Sequence, residues 1–284
     1  MESVFYCHPL SCSQRTLGGR HACPTVSAYL AAGYLLYTGR ITADSLVKWM
    51  QLACNDYCAA HPVDEGVDPV DRVPRDFDTP LTALKRHKAL SMAAVVDADL
   101  ECSGLMLQDQ SLLNGMPEQV REECKEGRLL WGLEPAMQKL QDAVLGDMSI
   151  PLDAPDPLQP VRGFVFSRGD HIISGSVRRT RDGKARFDLV DSHDCLYPGL
   201  MGPEARHRCA IWCTCVGLPT MLQTMHQIYP VDTVGRVKDY ERHSADLELP
   251  CQYNVLVFRR RHRTQQEAIQ SYKRNTTPYL SPVY

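Results

Sequence analysis

Residues 186–195 read RFDLVDSHDC, a strand-like run in which Phe187, Leu189 and Asp191 alternate with Asp188, Val190 and Ser192 ahead of His193. Side chains alternate between the faces of a strand, so Asp191 and His193 fall on one face with Cα atoms roughly 6 to 7 Å apart. At that separation the carboxylate accepts a hydrogen bond from the imidazole, which fixes the ring tautomer and favours its protonated form. An apolar strand ending this way carries an orienting acid and a base. The nucleophile has to come from elsewhere in the chain.

Working outward, the stretch belongs to a series of strand-like runs: VRGFVFSR (161–168), HIISGSVRRT (171–180), RCAIWCTCV (208–216) and YNVLVFRRR (253–261). RDGK at 181–184 reads as a tight hairpin turn, and PTMLQTMHQIY (219–229) as a helix between the last two strands. The first half has the other periodicity. ACPTVSAYLAAGYLLYTG (22–39) is apolar nearly all round, with Pro24 at the start and Gly39 at the C-cap, so a central helix is predicted. TADSLVKWMQLACNDYCAAH (42–61) follows with Thr42 as N-cap, and further helices are predicted over 81–97, 117–128 and 133–146. Residues 1–22 read as irregular, and 62–80, with four prolines and many acids, as an exposed loop. Helices first and a mostly antiparallel sheet afterwards make the fold class α+β. A single domain over 1–262 is expected, helical over about 23–150 and sheet over about 160–262, with a polar tail at 263–284.

Composition narrows the function classes. The chain has 284 residues, 44% of them apolar and 23% charged, enough for a sizeable core. A net charge of −3 gives no global pull towards nucleic acid or an anionic membrane, so neither is expected as a partner. The longest apolar run, Ala28 to Tyr37, is broken by Gly33 and too short to span a bilayer, and Met1-Glu2-Ser3 opens no export signal. A soluble protein, cytoplasmic or nuclear and monomeric, is expected. Its twelve cysteines are then reduced thiols rather than a disulfide framework. HRCAIWCTC (207–215) invites a zinc reading, but as a strand it puts Cys209, Ile211, Cys213 and Cys215 on one face as apolar groups. No second knuckle completes a ligand set there or at CNDYC (54–58), so no metal and no other cofactor is expected.

Cys23 is the candidate nucleophile. It reads as the N-cap of the buried helix, where backbone N–H groups and the helix dipole favour a thiolate. Gly18-Gly19 upstream would let the backbone pass close to a substrate, and Gln14 is an amide able to donate to an oxyanion beside the Cys23 N–H, work that Ser13 or His21 could also do.

A cysteine in an N-terminal loop (GGRHAC), a helical stretch, an Asp-x-His strand (FDLVDSH) and a last apolar strand (YNVLVFRRR) come in an order that resembles the papain-like cysteine proteases of ubiquitin and its relatives. The nearest look-alike is the ubiquitin-specific protease of herpesvirus large tegument proteins, and the chain also resembles the autophagy-related and ubiquitin-fold-modifier proteases, which share the Asp-x-His. The resemblance covers most of the chain as motif order. It implies a papain-like fold and a thiol protease or deubiquitinase cleaving after the C-terminal glycine of ubiquitin or a ubiquitin-like partner. Cys23 would attack the carbonyl, His193 would take its proton and return it to the leaving amine, Asp191 would orient His193, and Gln14 would help hold the oxyanion. Ser192 stands where the family commonly has proline, a difference expected to matter little because that side chain faces away. Pro24 removes one N–H beside the nucleophile. The acidic loop VDEGVDPVDRVPRDFD (63–78) reads as a solvated insertion, and FRRRHR (258–263) as a strand end splaying its arginines into water. Two alternatives stay open: an acyltransferase or transglutaminase-like enzyme on the same fold, and a non-catalytic α+β interaction module.

Overall fold

The computed structural model describes residues 5–19, 21–37, 41–62, 78–97, 102–106, 130–131, 133–154, 159–168, 171–195, 198–201, 208–228 and 252–261. In chain order these form β1 (Phe5–Pro9), α1 (Cys23–Leu36), α2 (Ala43–Ala60), α3 (Pro80–Arg86), α4 (Lys88–Ala93), β2 (Ala94–Val96), β3 (Cys102–Met106) and β4 (Leu130–Trp131). There follow α5 (Leu133–Leu145), β5 (Val161–Arg168), β6 (His171–Arg179), β7 (Ala185–Cys195), α6 (Pro198–Met201), β8 (Cys209–Val216), α7 (Leu218–Ile228) and β9 (Gln252–Arg260). The helix predicted over 117–128, Gly39 and the tail lie outside the described residues. Among the described residues no helix is long and apolar enough to cross a membrane.

The strands make one sheet in the order β1-β8-β7-β6-β5-β9-β3-β4, with β2 also paired to β9. Every described pairing is antiparallel. Helices cover both faces. On one, Val161, Val165, Ile172 and Val190 pack with Val26, Leu30 and Tyr34 of α1 and Trp49 and Met50 of α2. On the other, Phe187, Leu189, Ile211, Cys213 and Cys215 pack with Met137 and Leu140 of α5 and Met221 and Met225 of α7. The α+β class expected from the sequence is what the chain adopts, and Cys213 and Cys215 are the apolar core groups anticipated.

Four strands come from the half predicted to be helical or irregular. The helix expected over 81–97 is two short helices and a strand. At His87 the backbone turns out of the helix (φ −83, ψ 92), and its ring accepts from the Leu90 N–H at 3.2 Å, capping α4. Thr42 caps α2 as expected, accepting from the Ser45 N–H at 3.2 Å. The arginines of FRRRHR that fall in β9 do not all splay into water. Arg260 donates through Nε to the Leu35 carbonyl, and Arg259 lies 3.4 Å from Asp97.

The central helix lies directly on the sheet because Gly163 of β5 has no side chain. A Cβ there would stand 2.5 Å from the Ala31 carbonyl oxygen, backbone that cannot swing aside. Gly163→Ala is therefore expected to push α1 off the sheet at a cost of about 1–3 kcal/mol, read as a lower urea midpoint with an unchanged m-value.

Candidate active site

Two elements set the site. α1 is buried from Pro24 to Leu35, so its N-terminus is held rigidly against the sheet. β7 runs on past its ladder with β8, whose register breaks between Asp191 and Cys195. Such irregularities re-aim side chains and release backbone groups. Here the released Ser192 carbonyl accepts from the Gln14 N–H at 2.9 Å, drawing the loop before α1 across the end of β7.

The cysteine stands one position inside its expected place. Cys23 is the first residue of α1, Ala22 is the N-cap without a side-chain bond, and Pro24 occupies the second position. The first four N–H groups of a helix have no intrahelical acceptor, so the proline removes one orphan donor and leaves the Cys23 N–H in place. At Gly19 the loop also presses on the protein itself, since a Cβ there would stand 2.6 Å from Cys54 Sγ of α2.

Asp191 is fully buried. Its Oδ1 accepts from both the His193 backbone N–H at 3.0 Å and His193 Nδ1 at 2.7 Å, as the i, i+2 spacing predicted. That leaves Nε2 of His193 for the Cys23 thiol, with which the ring shares a side-chain hydrogen bond. Burial alone would deprotonate His193, but the Asp191 carboxylate and, after it, the Cys23 sulfur hold the imidazole well above its usual range. Burial likewise raises the Asp191 carboxyl, yet His171 and His193 together hold it well below the usual carboxylate range.

His171 was not singled out in the sequence. Its Nε2 hydrogen-bonds Asp191 Oδ2 at 2.7 Å, and its ring stacks on that of His193 with centroids 4.1 Å apart. One buried carboxylate thus serves two stacked histidines. The β6–β7 register pairs Ser174 with Val190, and carried on three residues it sets His171 level with His193. Only that cross-strand register reveals the partner. The donor atoms of His171, Asp191 and His193 all lie within 4.8 Å of one another, a spacing that could also suit a divalent cation. The two carboxylate–imidazole hydrogen bonds account for that closeness.

Gln14 is buried and its Oε1 accepts from Ser192 Oγ at 2.8 Å. The expectation that Ser192 matters little is corrected: its hydroxyl fixes which end of the Gln14 amide carries the oxygen, and so where the NH₂ branch lies.

Asp78 belongs to the acidic stretch read as a solvated insertion, and it is buried instead. Thr25 Oγ1, two residues after Cys23, donates to Asp78 Oδ2 at 2.7 Å. Arg86 grips both Asp78 oxygens at 2.9 and 2.7 Å and also donates to Asp56 at 2.8 Å. The His61 ring lies 3.1 Å from Asp78 Oδ1. This network fastens the first turn of α1 to α2 and α3.

No family model and no curated protein matches the chain. Among solved structures, the chain is similar to the ubiquitin-specific protease encoded by a murine cytomegalovirus tegument protein, solved in complex with a ubiquitin-based suicide substrate. The similarity has 12% identity and a TM-score of 0.40, and covers 96% of each chain.

Proposed function

We propose that the chain is a cysteine-type peptidase acting on ubiquitin or a ubiquitin-like modifier, with Cys23 as nucleophile, His193 as its proton partner, Asp191 as orienting acid and Gln14 as an oxyanion donor. One observation carries the chemistry. A cysteine at the start of a buried helix hydrogen-bonds a histidine whose other ring nitrogen is fixed by a buried carboxylate. In that arrangement the ring holds the thiol proton and returns it to the leaving amine after acylation, when water completes hydrolysis. The helix N-terminus favours the negative sulfur. The substrate class rests on the order of the motifs GGRHAC, FDLVDSH and YNVLVFRRR.

The test is a ubiquitin or ubiquitin-like protein ending in a C-terminal electrophile. Attachment at Cys23, found by peptide mapping and lost in Cys23→Ala of unchanged circular dichroism, supports the proposal. Labelling spread over several cysteines, or none, rejects it.

His171 supports the acid and stands outside the reacting atoms. His171→Phe keeps a ring stacked on His193 but deletes the donor to Asp191 Oδ2. The buried oxygen left unsatisfied is expected to cost about 1–3 kcal/mol of unfolding free energy. Turnover is expected to fall while KM stays unchanged, since no substrate contact is removed.

A further inference from the structure

At the edge of the sheet β1 pairs with β8 so that Cys7 stands directly opposite Cys213. Directly opposed antiparallel residues have Cα atoms about 4.5–5.5 Å apart, within the span of about 4.4–6.8 Å that a disulfide bridges. Both side chains leave the sheet on one face, where Cys213 is core and Cys7 packs half-buried against it. The two thiols are near enough for each to bear on the other's proton. Cys54 and Cys58, four apart on α2, donate separately to the Gln14 and Gly18 carbonyls at 3.9 and 3.7 Å. Cys209 donates to Met201 Sδ at 3.8 Å.

We infer that Cys7 and Cys213 form a reversible oxidation site, a cross-strand disulfide made with a peroxide as oxidant. The Cys7 thiolate attacks one peroxide oxygen, the O–O bond breaks with loss of water, and Cys7 becomes a sulfenic acid. Cys213 sulfur then attacks the Cys7 sulfur, the S–O bond breaks, and a second water leaves. Two thiols give up two hydrogens and two electrons to one hydrogen peroxide, yielding one disulfide and two waters. The roles follow from the surroundings. Cys7 is the half-exposed partner, and the neighbouring Cys213 thiol, opposed by partial burial, holds its thiol below the ordinary cysteine range. The neighbouring Cys7 thiol, and burial, push the Cys213 thiol far up, so Cys213 keeps its proton until its sulfur attacks and that proton leaves with the Cys7 hydroxyl as water. The site is independent of the reading of Cys23.

The experiment treats the reduced full-length chain with hydrogen peroxide, traps remaining thiols with N-ethylmaleimide in denaturant, and maps the peptides. Expected is a Cys7–Cys213 linked peptide in most molecules, reversed by a phosphine reductant, with the melting temperature raised by roughly 4 to 8 °C. In Cys7→Ser, a mild change on an edge strand, the linked peptide is absent and Cys213 is recovered alkylated. Recovery of both as alkylated thiols in the treated wild-type chain overturns the inference. So does over-oxidation of Cys7 without a bridge, or a bridge between Cys195 and Cys209, which also stand opposite each other between β7 and β8.

Discussion

Asp191→Asn is expected to lower kcat against a ubiquitin-like substrate by about 10³–10⁴-fold with little change in KM. The amide preserves shape, but it can no longer accept from both the backbone N–H and Nδ1 of His193 as a charged group. The tautomer that presents Nε2 to Cys23 is then no longer enforced. The pH profile carries a second signature. The carboxylate is the largest influence holding His193 protonated above its usual range, against burial. Without it, the alkaline limb of the activity profile moves down towards the ordinary imidazole value of about 6.5. Stability follows the same groups. Asp191 is depressed, so its contribution is present above about pH 4 and lost as pH falls below that; His193 is raised, so its contribution is full below about pH 6.5 and lost as pH climbs through its elevated value. Urea midpoints of the wild type should peak between those limits and flatten in Asp191→Asn. An unchanged kcat would remove His193 and its acid from the chemistry.

The second large effect lies outside the reacting atoms. Asp78→Ala is expected to destabilise the fold by about 1–3 kcal/mol at neutral pH, because it removes the acceptor of the buried Thr25 hydroxyl and leaves the partly exposed Arg86 guanidinium with Asp56 as its remaining carboxylate partner. Burial raises this carboxyl, but Arg86, Thr25 and His61 more than offset it, bringing it from 3.8 to about 2. The contribution of the charge is thus fully present above about pH 4 and is lost as the solution is acidified towards pH 2. Equilibrium urea unfolding at pH 7 and pH 3 should show the wild type and the variant converging at the lower pH. Since Thr25 sits in the first turn with Cys23, electrophile labelling at Cys23 should also slow in the variant at temperatures where it stays folded.

The sequence made some of this legible for reasons the structure explains. α1 was visible because it is buried on every side, so its apolar character needed no partner to be recognised. The Asp191–His193 bond was visible because it lies within one strand and follows from alternation alone. What escaped depends on pairing across the chain. β1 is five largely exposed residues without alternation, and it becomes a strand only because β8, some two hundred residues later, offers it an edge. His171 takes its role from the β6–β7 register, and Ser192 from the loop that crosses it. The break at His87 is a side-chain cap competing with helix continuation, which apolar periodicity does not report.

β9 has an inner position, bonded to β5 along one side and to β2 and β3 along the other. A ribosome delivers this segment only some eighty residues after β5, which ends at Arg168 while β9 starts at Gln252. Until then β5 presents an unclosed row of amides and carbonyls, the kind of edge that recruits foreign strands. Maturation is thereby gated by translation of residues 252–260, and a product stopped short of them is a natural client for chaperones and degradation.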